Sequence, residues 1–269
     1  MNQQDFALLS DLLKQRSGLA LTEDKVYLLE SRLTPVARKM GMEKLEDLVA
    51  EIRRSKSEPL MRDVTEAMTT NESFFFRDVK PFDAFRKDVL PVLLEARKTT
   101  RTIRIWSAAC STGQEAYSIA MILKEEAAKV SGYRFEIVGT DISREVLEKA
   151  KVGLYSQFEV QRGLPIQLLM KYFTQVKDLW QIDAGLRAMV KYREQNLLTP
   201  LTALGKFDVI FCRNVLIYFD QQTKSMVLGN MRKLLPDDGA LFLGAAETVL
   251  GITDAFKPIP GQRGIYGPA

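Results

Sequence analysis

The chain has 269 residues, 46% of them hydrophobic, and a net charge of +4 from 38 basic and 34 acidic side chains. That is enough apolar material for one large domain and one smaller one, and the charge is too evenly balanced for a long phosphate-tracking surface, so nucleic acid is not expected as a partner. There is no histidine and there are two cysteines, which excludes histidine-based triads and most metal-hydrolase sites, leaves no metal site to expect, and argues against a disulfide framework.

Met1 to Phe6 are polar with no apolar h-region, and no apolar run approaches the ~20 residues that span a bilayer, so a cytoplasmic protein without stable membrane insertion is expected. Phe6, Leu9, Leu12 and Leu13 recur at helical spacing, as do Val26, Leu29 and Leu33, and then Leu45, Leu48 and Ile52. Thr34-Pro35 predicts a kink or a restart capped by Thr34. One more helix is predicted over 58–70. This amphipathic bundle ends where the pattern changes, giving a helical domain over 1–75 and a second domain over 76–269.

In the second domain Arg104-Ile105-Trp106-Ser107-Ala108-Ala109-Cys110-Ser111-Thr112-Gly113-Gln114-Glu115 runs from an apolar strand through a turn of small residues into a helix. Small side chains let a ligand lie on the backbone, and the helix start offers free N–H groups. The turn has one glycine where a dinucleotide fingerprint needs three, so a nucleoside without phosphates fits better, with S-adenosylmethionine the first candidate. A second strand, 135–141, ends on Asp141, where this topology places a ribose-binding carboxylate; the alternative is a cap for the next helix. Further strands are predicted at 189–193, 207–214 and 239–244, with a final pair between 256 and 266. Alternation of strands and helices points to a mostly parallel sheet with covered faces. An insertion over 153–187 is too long for a simple connection, and carries helical spacing (Leu168, Leu169, Tyr172, Phe173) and a short hairpin around 180–187.

Three strings carry a family resemblance. Thr70-Asn71-Glu72-Ser73-Phe74-Phe75-Phe76-Arg77, Trp106-Ser107-Ala108-Ala109-Cys110-Ser111-Thr112-Gly113-Gln114-Glu115-Ala116-Tyr117-Ser118 and Phe211-Cys212-Arg213-Asn214-Val215-Leu216-Ile217-Tyr218-Phe219 resemble, in order, the hallmark motifs of the chemotaxis receptor methyltransferases of the CheR type. The resemblance implies a class I S-adenosylmethionine-dependent methyltransferase domain, Rossmann-like, with a small antiparallel β insertion and an all-α N-terminal domain. It implies transfer of a methyl group from S-adenosylmethionine to glutamate side chains of chemoreceptors, with S-adenosylhomocysteine as product. Lack of histidine suits that reaction, because a carboxylate nucleophile is already ionised at neutral pH.

By the same resemblance Asp141 binds the ribose hydroxyls, and Glu115 meets the cationic amino-acid end of the cofactor, although alone it reads equally as a dipole partner of its helix. Asn71, Ser73 and Arg77 line the methionine end and the acceptor pocket, with Arg77 orienting the target carboxylate; a surface pair with Asp78 is the plainer alternative. Asn196 and Leu197 match the adenine-edge position, Arg213 and Asn214 end a strand at the carboxyl edge of the sheet, and Tyr218 reaches the acceptor or the sulfonium. Phe74 to Phe76 read as core packing. The family docks a basic N-terminal helix on acidic receptor helices, for which Lys25, Arg32, Lys39, Arg38 and the cluster Arg53, Arg54 and Lys56 are the candidates here. The stretch 172–180 lacks the glycine-rich segment of members that dock on a receptor tail peptide, so no tail tethering is expected. Gly244-Ala245-Ala246-Glu247 also departs from the family, in a segment that often carries histidine. A non-catalytic module that senses S-adenosylmethionine or S-adenosylhomocysteine is the competing reading.

Overall fold

A computed structural model describes residues 1–269. Two compact units emerge: Met1–Thr70 together with Tyr218–Lys224, and Asn71–Ile217 together with Ser225–Ala269.

The first unit contains four helices, α1 (Gln3–Ser17), α2 (Val26–Lys39), α3 (Leu45–Ser55) and α4 (Glu58–Met68). Their predicted apolar positions form its core, with Leu9, Leu13, Leu29, Leu33, Leu48 and Val64 fully buried. The expected restart at Thr34-Pro35 does not occur: α2 runs through Pro35. Proline removes one helical hydrogen bond, while Thr34 Oγ1 donates back to the Glu30 carbonyl (2.5 Å) and burial of Leu29, Leu33 and Ala37 holds both sides of the turn. Arg32, expected on a basic docking face, instead caps the end of α4, donating to the Met68 and Thr69 carbonyls and to Thr70 Oγ1. Arg53 is paired with Asp5 (2.7 Å) and Arg54 with Glu51 (2.9 Å), whereas Arg38 and Lys39 remain exposed. The segment Tyr218–Lys224 is fastened within this unit, where the Ala20 N–H donates to the Tyr218 carbonyl (2.9 Å) and Lys14 pairs with Asp220 (2.8 Å).

The second unit opens with a helix absent from the sequence reading: α5 (Lys80–Ala84), a π turn at Phe85–Val89, and α6 (Leu90–Ala96). Then follow β1 (Thr102–Ala108), α7 (Gln114–Glu125), β2 (Arg134–Asp141) and α8 (Arg144–Val152). The insertion supplies β3 (Leu154–Ser156), α9 (Gln157–Gln161), α10 (Ile166–Tyr172), β4 (Phe173–Val176), β5 (Leu179–Ile182) and α11 (Ala184–Arg187). The chain ends with β6 (Val190–Glu194), β7 (Val209–Cys212), α12 (Gln221–Arg232), β8 (Ala240–Leu243), β9 (Phe256–Pro258) and β10 (Ile265–Pro268).

The main sheet has the order β6-β2-β1-β7-β8-β10-β9, parallel except at β10 and β9. Chain direction across the sheet reverses between β1 and β7, and their carboxyl ends form the switch point at which open α/β sheets bind ligands. The insertion forms the antiparallel sheet β3-β5-β4. Its hairpin lies at 173–182 rather than 180–187. Lys177, at φ 56°, makes the turn, and Asp183 accepts from Gly185 N and Leu186 N to start α11 where a second strand was expected. No helix is long and apolar enough to cross a membrane.

Candidate functional site

Buried Ile103, Ile105 and Trp106 drive β1 into the middle of the sheet, so its small-residue end emerges at the switch point. The turn that follows has left-handed backbone at Ala109 (φ 52°), Ser111 (φ 50°) and Gly113 (φ 93°). Gly113 has no alternative, since a Cβ there would lie 2.6 Å from the Tyr192 hydroxyl oxygen and 3.0 Å from Ala150 Cβ. Phe76, Asp78, Val79 and Asn214 also have positive φ. Strained backbone of this kind persists only where its surroundings over-determine it, and six non-glycine residues adopt it in the segments that meet here.

Asp141 is buried at the end of β2. One carboxylate oxygen accepts from Ser111 N (2.9 Å) and the other from Ser143 N (3.0 Å), so it both fixes the turn and starts the next helix. Gln195 N donates to the Asp141 carbonyl (2.9 Å), which brings the 195–199 turn alongside. In that turn Asn196 Oδ1 accepts from Leu198 N (3.0 Å) and Leu197 is buried.

Ser111 Oγ donates to the Asn71 carbonyl (2.7 Å), and Phe76 N donates to Ser118 Oγ (3.0 Å) on α7, so the 71–77 stretch, which contains Ser73, is fastened at one end to the small-residue turn and at the other to α7. Phe75 is fully buried, edge-on to Tyr155 and Phe173, and Phe76 packs on Phe82, as core residues should. Phe74 lies between two guanidinium groups, Arg162 at 4.3 Å and Arg77 at 5.3 Å from its ring centroid.

Arg213 has a 1% exposed side chain at the end of β7. It donates to Glu115 (3.0 Å), to Asp78 (2.7 Å) and to the Arg77 carbonyl (2.8 Å), while its Nε is buried without a partner. Glu115 also accepts from Ser107 Oγ (2.8 Å). Burial pushes the Glu115 carboxyl up, against the opposing pull of Arg213 and Ser107. The pair is therefore an acid and a base held side by side in a dry place, with one guanidinium donor unused. That suits a zwitterion, whose ammonium and carboxylate need the two opposite charges. Asp78 pairs with Arg213 and not with Arg77. Arg77 itself is half-buried, donates only to the Glu72 carbonyl (3.0 Å), and makes no ion pair.

The sequence reading missed the residue that shapes the loop after β7. Glu247 is 8% exposed and accepts from five main-chain N–H groups: Gly244 (2.6 Å), Asn214 (2.8 Å), Val215 (2.9 Å), Leu216 (2.7 Å) and Ile217 (3.3 Å). Gly244 makes room for it, because a Cβ there would lie 2.7 Å from Glu247 Oε2 and 2.8 Å from Asn214 Nδ2. An acid three residues after a glycine, just beyond a strand, was the available signal. Glu115, Asp141, Arg213, Asn214, Asn71, Ser73, Arg77, Asn196 and Leu197 thus gather along one sheet edge, whereas Tyr218 belongs to the helical unit.

Residues 71–265 match the family described as CheR methyltransferase, SAM binding domain, and residues 4–69 match CheR methyltransferase, all-alpha domain. The chain is 38% identical to chemotaxis protein methyltransferase Cher2 of Pseudomonas putida over 97% of its own length and 96% of the relative's. It is 37% identical to a chemotaxis protein methyltransferase of Vibrio parahaemolyticus, over 98% and 96%. Chemotaxis protein methyltransferase 1 of Pseudomonas aeruginosa is 38% identical, over 97% and 96%.

Proposed function

Since this chain belongs to the CheR methyltransferase family and carries its S-adenosylmethionine-binding domain, we propose that it methylates glutamate side chains of chemoreceptors, forming methyl esters. The observation that carries this reading is Arg77: a half-buried guanidinium without a carboxylate partner, bonded through its own carbonyl to the buried Arg213–Glu115 pair.

S-adenosylmethionine supplies a methyl group on a positively charged sulfur that is already a good leaving group. The chain therefore has to position reactants rather than activate them. Glu115 and the free Nε of Arg213 hold the zwitterionic end of the cofactor, with Asn71, Ser73 and Asn214 around it. Asp141 accepts the ribose hydroxyls, and Asn196 and Leu197 meet the adenine edge by hydrogen bond and by packing. Arg77 grips the acceptor carboxylate and leaves one oxygen lone pair to attack. No residue has to remove a proton, because the glutamate is ionised near neutral pH. Exposed Arg38 and Lys39 offer the helical unit's contact to acidic receptor helices.

Arg77→Ala separates the roles. Methyl transfer to a receptor cytoplasmic fragment should fall by orders of magnitude, while the cofactor Kd measured by calorimetry stays within a few-fold. Equal loss of both would remove Arg77 from the acceptor side.

A further inference from the structure

A cavity of about 520 Å³ opens beside the carboxyl ends of β8 and β10, lined among others by Asp78, Lys80, Gly244, Glu247, Arg263 and Tyr266. Its volume is that of a small-ligand pocket. Two of its walls are shared with the site above, since Asp78 is the partner of Arg213 and Glu247 holds Asn214.

The charges lining it are unequal in kind. Both acids are engaged by other groups: Asp78 by Arg213, which it shares with Glu115, and Glu247 by five main-chain N–H groups. Both cations are free, for Lys80 and Arg263 are exposed and stand in no ion pair. Each is carried on fixed backbone. Lys80 follows the left-handed residues Asp78 (φ 69°) and Val79 (φ 49°), and Arg263 precedes Gly264, whose carbonyl accepts from Leu243 N (2.9 Å). The Tyr266 hydroxyl, 3.5 Å from Thr248 Oγ1, adds a further polar group. With its acids already engaged by other groups and its two cations without a partner, the cavity offers its free donors to an anion.

We infer that this cavity receives a second carboxylate of the acceptor, an acidic side chain about one helical turn from the methylated glutamate, held by Lys80 and Arg263. The inference rests on the glutamate reading given under Proposed function. Side chains one turn apart on a helix lie about 5–6 Å from each other at Cβ, so an acid at that spacing is within reach of a cavity that adjoins the transfer site. Lys80 and Arg263 then choose which glutamates are modified without taking part in transfer.

The test uses the full chain and two helical acceptor peptides, alike except that the flanking position holds Glu in one and Gln in the other. Lys80→Ala and Arg263→Ala should each raise KM for the Glu-flanked peptide about tenfold, the size of one charge-assisted hydrogen bond. Neither should change kcat, cofactor affinity or KM for the Gln-flanked peptide. Arg263→Glu should invert the preference, toward the Gln-flanked peptide. An unchanged KM, or an equal rise for both peptides, would overturn the subsite while leaving the glutamate reading intact. Failure of the unsubstituted protein to methylate either peptide would overturn the glutamate reading, and this inference with it.

Discussion

At the residue scale, one carboxylate does the work of a turn motif. Glu247 gathers the N–H groups of Asn214 to Ile217, which a loop leaving the middle of a buried sheet would otherwise have to satisfy with water or leave unpaired. Glu247→Gln keeps the shape and removes the charge, and puts an amide donor against N–H groups. Hydrogen bonds to charged groups contribute about 1.5–3 kcal/mol, so the variant should be less stable by about that amount in urea titrations. A loss below a few tenths of a kcal/mol would mean that the loop holds itself. Arg213 follows related logic from the opposite sign: a buried charge is tolerable with Glu115, Asp78 and the Arg77 carbonyl around it. The sequence marked Arg213, Glu115 and Asp141 through their motifs. It could not mark the pairing of Asp78 with Arg213, because that contact joins residues 135 positions apart.

At the scale of elements, strands and helices with clear periodicity were legible, and their exceptions have local causes. The helix over 80–96 carries Pro81, Pro91 and a π turn, which break the regular spacing of Phe82, Phe85, Leu90 and Leu93 although all four are buried. In the insertion, the two-residue turn at Lys177-Asp178 lacks the usual glycine or asparagine, so nothing in the sequence marks the hairpin at 173–182. The insertion is joined closely to the 71–77 stretch. Gly163 has φ 80°, and a Cβ there would lie 2.1 Å from the Phe75 carbonyl oxygen, while neighbouring Arg162 pairs with Glu72 (2.6 Å) and covers Phe74. The left-handed conformation alone costs a non-glycine residue about 1–2 kcal/mol, and the clash adds to it. Gly163→Ala should therefore lower the thermal midpoint and reduce methyl transfer more than Gly261→Ala, whose added Cβ meets nothing within 4 Å. Equal effects of the two would show that only the backbone conformation matters, not contact with the 71–77 stretch.

For the whole molecule, the absence of histidine sets the pH response. Asp238, held down by its hydrogen bonds to Arg97, and Glu136, held down first by Arg134, are more acidic in the folded chain than unfolded, as are Glu72 beside Arg162 and Glu125 beside Lys171. Groups lowered on folding contribute stability above their unfolded values and lose it as pH falls through the folded ones. Glu115, raised by burial, acts in the opposite direction and offsets part of that loss. Between pH 6 and 8 only the α-amino group has an ordinary value in range. The urea midpoint of the untagged protein should thus be flat from pH 6 to 8 and fall below about pH 4. A transition between pH 6 and 8 larger than one α-amino group can give would contradict this account.

The central claim is that a carboxylate, and no other group, accepts the methyl. Purified protein incubated with methyl-labelled S-adenosylmethionine and chemoreceptor-containing membranes, then treated with mild alkali, tests it directly. Label released as volatile methanol by the unsubstituted chain, and lost with Arg77→Ala, is the predicted result. Protein-bound label that survives alkali would contradict it, because an ester hydrolyses under conditions that methylated nitrogen withstands.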